Sequence, residues 1–346
     1  MLERKVIVER SHQAFHAART LTYLGELKLL HNFTKLFRPW VEVPPEPTNG
    51  REGRPFLLKD IEELYRRDAE LFSSSSLPLQ LLAPESPLSH GRRLARILWT
   101  SVKMSRLRKE KRSKPAAPVE DDLPDYFVRN FHWQIDGYLS EESAAIYDHQ
   151  VEILFTGTAA AMRRLALPPL LQHVRSLQRK AQILELACGT GELSATVRAA
   201  LPEHQLTVSD LSAPYLALAK KRLSGLDVDF VRAAAEDLPF KEASQDVVYN
   251  VFLMHELPSK VRSKVLAEAM RVLRPGGVFI TVDSIQEDEV PEYAWALKKF
   301  PQDYHEPFYK SYTQWPLQDA YRKAGFENIS QSRGFFSKCV VGAKPS

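Results

Sequence analysis

The chain has two cysteines in 346 residues, Cys188 and Cys339. That number is too small for a disulfide framework or a cysteine metal cluster, and a reducing cytoplasm is the default expectation. No apolar run approaches the roughly 20 residues that span a bilayer. Met1 to Lys5 lead into no signal-peptide core and no small-residue cleavage site. Histidine is not arranged for ligation in the first half, where His12, His16, His31 and His90 show no telling spacing; His204 shows none either. Acid is nearly missing from one stretch. Between Arg92 and Lys114 there are ten basic residues and one acid, Glu110, so this segment carries +9 of a chain total of +4.

What remains is a globular composition, 44% hydrophobic and 26% charged. Residues 1 to about 40 place apolar side chains at three- and four-residue steps, from Phe15 through Leu27 and Leu30 to Phe37, and predict a helix ended by Pro39. Pro44 to Gly50 form a loop, and a shorter helix is expected from Lys59 to Phe72. Ser73 to Ser76 and Pro78, Pro84 and Pro87 read as irregular. The basic segment 92–114 is amphipathic. It reads as a solvated face, as a surface helix on anionic lipid, or as a nucleic-acid contact, and no nucleic-acid motif accompanies it. Lys114 to Pro118 read as a linker, and Glu120 to Asp122 reverse the charge.

The composition changes at Leu123. Asp125 to Ser140 are dense in aromatic residues, among them Trp133 and Tyr138. Ser140 with Glu141 and Glu142 suits a helix start, and a helix to about Phe155 follows. A second helix, from about Thr158 to Leu165, ends ahead of Pro168. From Ala181 strands and helices alternate, with strands at 182–187, 205–210, 228–232, 245–251 and 278–283. Helices near 192–200, 213–223 and 259–273 lie between them, and two more near 290–299 and 313–324 precede strands at 327–334 and 336–343. The expected fold is α/β: a Rossmann-like doubly wound sheet, mostly parallel with an antiparallel C-terminal strand pair, plus an N-terminal helical extension. The expected division is a mainly helical accessory region at 1–122 and a second domain at 123–346. The latter comprises a helical entry segment at 123–175 and a core at 180–346.

Ile183 to Ser194 organise the core. Ile183, Leu184 and Leu186 make a buried strand, Gly189 and Gly191 a tight turn, and the following helix begins above it. Such a turn at a strand's carboxyl end is where open α/β sheets take nucleotide-like ligands. Asp210 ends the next strand, placed to accept hydrogen bonds from ribose hydroxyls. A dinucleotide fingerprint would need a third glycine where Ser194 stands. Cys188 reads as a small buried thiol rather than a nucleophile.

Glu185-x-Ala187-Cys188-Gly189-Thr190-Gly191, Asp210, Glu236-Asp237-Leu238-Pro239-Phe240, Asp246-Val247-Val248 and Arg271 to Gly277 together resemble the class I S-adenosylmethionine-dependent methyltransferases related to the menaquinone and ubiquinone methylases. The resemblance covers about 180–345. It implies S-adenosyl-L-methionine as cofactor, held by Glu185, Ala187, Cys188, Gly189, Gly191, Asp210, Leu211, Ala235, Glu236 and Asn250. Ala187 departs from the family's glycine, and Ala234 stands where the family often has an adenine-binding Asp, a bond that Glu236 could replace. Methyl transfer needs no metal, and none is expected. Candidate acid–base residues are His255 and Glu256 after strand four and His305 in the aromatic-polar stretch Phe300 to Tyr309. Trp133, Tyr138, Asp283, Tyr304 and Tyr309 are expected to line the acceptor pocket. The expected acceptor is a small hydrophobic or aromatic molecule methylated on O or C, as no Asn-Pro-Pro-Tyr-like amine signature follows strand four. The alternatives are an RNA or protein methyltransferase recruited through 92–114 and a non-catalytic binding module. A cytoplasmic protein with peripheral membrane contact through 92–114 is expected, and nucleic acid is the weaker partner.

Overall fold

Alternate residues of the central strands pack into two separate apolar layers, which fixes the architecture. Ile183, Val247, Tyr249, Ile280 and Val282 face one layer, and Leu184, Leu186, Val248 and Phe279 face the other. A strand buried on both faces reads as a continuous apolar run, as these do. The structure is a computed structural model that describes residues 2–36, 54–75, 77–82, 86–109, 123–129, 131, 134 and 136–346. The expected stop at Pro39, the loop at 44–50, the linker and acidic run at 114–122 and the side chain of Trp133 lie outside the described residues.

Among the described residues the chain begins with α1 (Leu2–Lys35), α2 (Arg54–Ser75) and α3 (Pro87–Lys109). Helices α4 (Glu141–Leu154), α5 (Ala159–Arg163) and α6 (Leu167–Ser176) lead into the sheet. Then β1 (Gln182–Leu186), α7 (Glu192–Ala200), β2 (Gln205–Asp210), α8 (Ala213–Arg222), β3 (Val228–Arg232), β4 (Gln245–Val251), α9 (Ser259–Val272) and β5 (Leu273–Ser284) alternate. The chain closes with α10 (Ala294–Tyr304), α11 (Tyr309–Thr313), α12 (Leu317–Lys323), β6 (Glu327–Gly334) and β7 (Ser337–Ala343). The sheet order is β3-β2-β1-β4-β5-β7-β6. The pairs from β3 to β5 are parallel, and β7 runs antiparallel to both β5 and β6. This is the expected Rossmann-like sheet with its antiparallel C-terminal pair. The strand order reverses between β1 and β4, so the crevice for a ligand opens above their carboxyl ends.

Three local differences from the sequence reading have physical causes. Helix α2 is longer at both ends than the expected 59–72. Helix α6 starts where Pro168 was read as a stop, because proline in a helix's first turn lacks only an amide that would have had no partner. Strand β5 begins at Leu273, ahead of Pro-Gly-Gly, since a register shift opposite Gln245 absorbs the bend. Gly277 is obligatory there: a Cβ would lie 2.9 Å from the carbonyls of Arg274 and Asp246.

The buried face of α1 is polar, which its apolar spacing did not show. Leu21 and Leu24 are exposed, at 70% and 39%, whereas His12, His16, Tyr23 and Glu26 are buried. His12 Nε2 lies 3.0 Å from Asp68 Oδ2 of α2, and Arg164 grips the same carboxylate through Nε (2.7 Å) and Nη2 (2.6 Å). His16 stacks on Tyr65 at 4.0 Å. Arg19 pairs with Glu152 of α4 at 2.8 Å. Glu26 bridges His90 of α3 and His149 of α4, the latter at 2.8 Å. Histidines without telling sequence spacing thus converge through tertiary packing. On α3, Leu94 and Ile97 pack inward, while Arg92, Arg96, Trp99, Lys103 and Arg106 are exposed. No described helix is long and apolar enough to cross a membrane.

Burial opposes the charge on Asp68, but Arg164 beside it holds the carboxyl well below the usual carboxylate range. Asp68→Ala should therefore cost about 3–5 kcal/mol, because it strands a buried guanidinium. Urea unfolding of the variant checks this. A loss of less than about 1 kcal/mol, as for an exposed pair, would contradict it.

Candidate active site

The turn after β1 is left-handed at three positions: Ala187 (φ 51°), Gly189 (φ 55°) and Gly191 (φ 75°). Their reasons differ. A Cβ on Gly189 would meet nothing within 4 Å, so the space above it is open for a ligand. A Cβ on Gly191 would meet Ala219 at 3.1 Å, so this glycine lets α8 pack close. Ala187 adopts the left-handed conformation with its Cβ in place, at about 1–2 kcal/mol. Thr190 is pinned from two sides: its hydroxyl lies 2.8 Å from both oxygens of Asp148 on α4, and Arg222 of α8 donates to it at 2.8 Å.

Two acids support the turn from below. Asp210 accepts the amide of Gly189 on Oδ2 and that of Ser212 on Oδ1, each at 2.8 Å. Burial raises its pKa to about 6. Glu185 accepts Ser194 Oγ at 2.5 Å and Tyr249 OH at 2.8 Å on the same oxygen. Burial raises its pKa to about 7, against the pull of those two hydroxyls. Burial also pushes the Cys188 thiol well up, which makes it inert as a nucleophile.

The remaining residues named for the cofactor divide. Leu211, Ala235 and Glu236 sit in the loops after β2 and β3, above the same edge of the sheet. Glu236 accepts the hydroxyl of Tyr126, a partner the sequence did not suggest. Asn250 is fully buried on the face of Leu186 and Thr281, donating to Thr281 Oγ1 at 3.0 Å. It pairs with Leu186, the last residue of β1 before the turn.

A second polar group lies over the ends of β4 and β5. Asp283 is wholly buried and positions His255. It takes His255 Nδ1 at 2.6 Å and the amides of Met254 (2.8 Å) and Ser284 (2.7 Å). This leaves Nε2 of His255 facing Glu256 Oε1 at 3.6 Å. Burial lowers the basicity of His255, but Asp283 first, then Glu256 and Glu306, raise its pKa to about 9. Tyr138 donates to Glu256 at 2.8 Å. Tyr309 meets Ser284 Oγ at 2.6 Å and sets its ring 5.8 Å from that of His255. In the stretch 300–309 the member that joins the cluster is Glu306, whereas His305 ends α10 in a left-handed conformation. Tyr304 packs on Phe300 at 5.1 Å. Phe127, Phe131, Tyr147 and Tyr215 surround the ring of Tyr138 at 5.3–6.3 Å.

Residues 183–277 match the family described as "Methyltransferase domain". The chain is 41% identical over 120 residues to the phthiotriol/phenolphthiotriol dimycocerosates methyltransferase of Mycobacterium tuberculosis, covering 35% of this chain and 44% of that one. It is 37% identical over 103 residues to a ubiquinone/menaquinone biosynthesis C-methyltransferase of Desulfotalea psychrophila, covering 30% and 41%. These matches span less than half the length of either relative. With the demethylmenaquinone methyltransferase of Lactiplantibacillus plantarum the identity is 30% over 227 residues, and the match covers 59% of this chain and 92% of that protein. The chain belongs to the class I S-adenosylmethionine-dependent methyltransferases.

The cofactor of that family is S-adenosyl-L-methionine, and the open space over Gly189 with the carboxylate of Asp210 behind it fits that group. Asp148, Arg222, Tyr249 and Glu306 escaped the sequence pattern. Each is polar and remote in sequence from what it touches, with Arg222 exposed and the other three buried or half-buried. No local pattern singles them out.

Glu185 yields a test with a definite sign. Its folded pKa of about 7 exceeds its ordinary value of 4.5, so the folded chain binds more protons between those values and loses stability as pH rises through them. The loss is on the order of 3 kcal/mol at about 1.4 kcal/mol per pKa unit. Glu185→Gln, which keeps an acceptor for Ser194 and Tyr249, should flatten this slope and raise the unfolding midpoint at pH 8. An unchanged slope in cofactor-free protein would refute the assignment.

Proposed function

We propose that the protein transfers a methyl group from S-adenosylmethionine to an oxygen or carbon atom of a small hydrophobic or aromatic acceptor. One observation carries the reading. A buried polar cluster of His255, Glu256 and Glu306, ringed by Tyr138, Tyr309 and their aromatic neighbours, lies over the same sheet edge as the glycine turn. When bound, the cofactor supplies an electrophilic methyl on a sulfonium. The chain must supply alignment, exclusion of water and a place for the acceptor's proton. Asp210 offers carboxylate lone pairs to ribose hydroxyls, and Gly189 lets the ligand approach the backbone. Ala235 and Glu236 border the adenine side. Asp283 fixes the imidazole of His255, whose Nε2 meets the acceptor oxygen. Tyr138 and Glu256 orient it, and the aromatic rings provide the apolar lining that a flat or lipid-like molecule needs. The names of the relatives, a phthiotriol lipid methyltransferase and two quinone-pathway methyltransferases, support an acceptor of that kind.

The division of labour follows from the same reading. Residues 1–122 are an accessory region, and 123–346 carry the chemistry. On α3 the exposed Trp99 (65%) stands among Arg92, Arg96, Lys103 and Arg106, a face suited to anionic lipid. Cosedimentation with phosphatidylglycerol vesicles but not with phosphatidylcholine vesicles is expected, and equal behaviour with both would remove this contact.

Two measurements test the main reading. Asp210→Ala should weaken S-adenosylhomocysteine binding about tenfold or more in calorimetry, the scale of a lost charged hydrogen bond; unchanged affinity would remove its role. Incubation with radiolabelled cofactor and a cell extract should put label in the lipid-soluble small-molecule fraction. Label in RNA or protein would point instead to a macromolecular acceptor, and binding without any transfer to a non-catalytic module.

A further inference from the structure

We propose that Asp148 of α4 is a positioning residue: with Arg222 of α8 it holds the hydroxyl of Thr190, and so fixes the shape of the turn from Gly189 to Gly191 and the affinity for the cofactor. The inference rests on the reading of that turn as the cofactor site. It makes a helix that precedes the sheet a part of the site.

The contact is a closed ring of three side chains. Thr190 is buried, at 3% exposed. Its hydroxyl hydrogen is directed at Asp148, whose two oxygens both lie 2.8 Å away. Arg222 donates through Nη1 to the oxygen of that hydroxyl at 2.8 Å, and through Nη2 to Asp148 Oδ2 at 2.7 Å. The hydroxyl gives its proton to one neighbour and takes one from the other, which leaves it a single orientation. Thr190 stands between Gly189 (φ 55°) and Gly191 (φ 75°). Neither glycine has a side chain to resist a change of backbone angle. Asp210 holds the backbone at Gly189, and Asp148 holds the side chain one residue on. Burial opposes the charge on Asp148, but Arg222 and then Arg163 hold its carboxyl below the usual range, so it stays an ionised acceptor at neutral pH.

Helix α4 is itself fixed in place. Glu152, one turn further along the same face, accepts the amides of Ala159 (3.3 Å) and Ala160 (2.9 Å) at the start of α5 and pairs with Arg19 of α1 at 2.8 Å. Arg163 of α5 repeats the arrangement just past the turn, where it meets Glu192, the first residue of α7. Asp148 and Arg163 both lie outside residues 183–277, the part that matches the methyltransferase domain. The turn of the matched core is therefore held from upstream.

Positioning can be told from a merely structural role. Asp148 is half-buried and Arg222 exposed, and an ion pair of that kind adds little to global stability. The test is calorimetry of S-adenosylhomocysteine binding, together with hydrogen exchange of the amides at 187–191 in the cofactor-free full chain. Asp148→Ala and Thr190→Val should each weaken binding about tenfold, the scale of a lost hydrogen bond to a charged group. The double variant should bind no more weakly than the poorer single one, because both changes remove one contact. Thr190→Ser keeps the hydroxyl and should bind within about twofold of the unaltered chain. Asp148→Ala and Thr190→Val should also exchange the turn amides about tenfold faster. Asp246→Ala supplies the structural comparison. It takes a buried carboxylate from Arg179, Arg274 and the amide of Gln182 near the start of β4, at the other end of that strand from the site. It should lower stability yet leave binding within about twofold.

Unchanged affinity in Asp148→Ala, losses that multiply to about a hundredfold in the double variant, or an equal loss in Asp246→Ala overturns the proposal. Nucleoside binding by the unaltered chain, with turn exchange unmoved by Asp148→Ala, also overturns it and leaves the cofactor reading intact. Faster turn exchange in Asp148→Ala, with no nucleoside binding by the unaltered chain, keeps Asp148 as the support of the turn and removes the cofactor reading.

Discussion

Asp210 receives the amide of Gly189 on one oxygen and that of Ser212 on the other, and so ties the turn after β1 to the end of β2. Those two amides belong to segments that must both be correctly placed for a ligand to lie across them. The left-handed angles at Ala187, Gly189 and Gly191 are tolerable because this carboxylate and the Thr190–Asp148–Arg222 contacts hold the loop in one shape. The cost is a buried acid whose pKa rises to about 6. Glu185, one strand over, carries the same burden for the packing of Ser194 and Tyr249 beneath the turn. Stability and ligand approach therefore compete within a few residues of each other.

The second polar group repeats this logic with a different outcome. Asp283 plays for His255 the part that Asp210 plays for Gly189: a buried carboxylate that spends its lone pairs on orientation. Asp283 is spent on His255 and backbone amides, so it serves the placement of the imidazole, and the aromatic rings around Tyr138 and Tyr309 limit what can approach it.

The alternation of strands and helices was legible because it is written in local pattern: apolar runs, a glycine turn, an acid at a strand end. The boundaries that slipped are where proline or glycine has two meanings. Pro168 begins α6 rather than ending α5, and the Pro-Gly-Gly before β5 lies inside the strand. The buried face of α1 was illegible for a different reason. Its partners stand 56 residues away at Asp68, 123 at His149 and 138 at Gly157, and no window of sequence brings polar residues together over such separations. In the site, Asp283 and His255 could be named, but Glu306 was passed over for its neighbour His305. Which of two adjacent polar residues turns inward depends on how α10 ends, and that is a backbone angle rather than a residue type.

Strand β7 follows every other described element, yet it lies between β5 and β6 in the sheet. During synthesis β5 therefore waits as an open edge until residues 337–343 have left the ribosome, and β6 emerges before it has anything to pair with. Lys344 completes the arrangement, exchanging backbone hydrogen bonds with Gly276 and Gly277 at the base of β5. An exposed parallel-sheet edge is a template for pairing with other chains. The same topology that caps the finished sheet thus leaves the nascent chain most vulnerable late in synthesis. A nonsense change within β7 would consequently act as an aggregation lesion, even though it leaves the glycine turn and both acid clusters untouched in sequence.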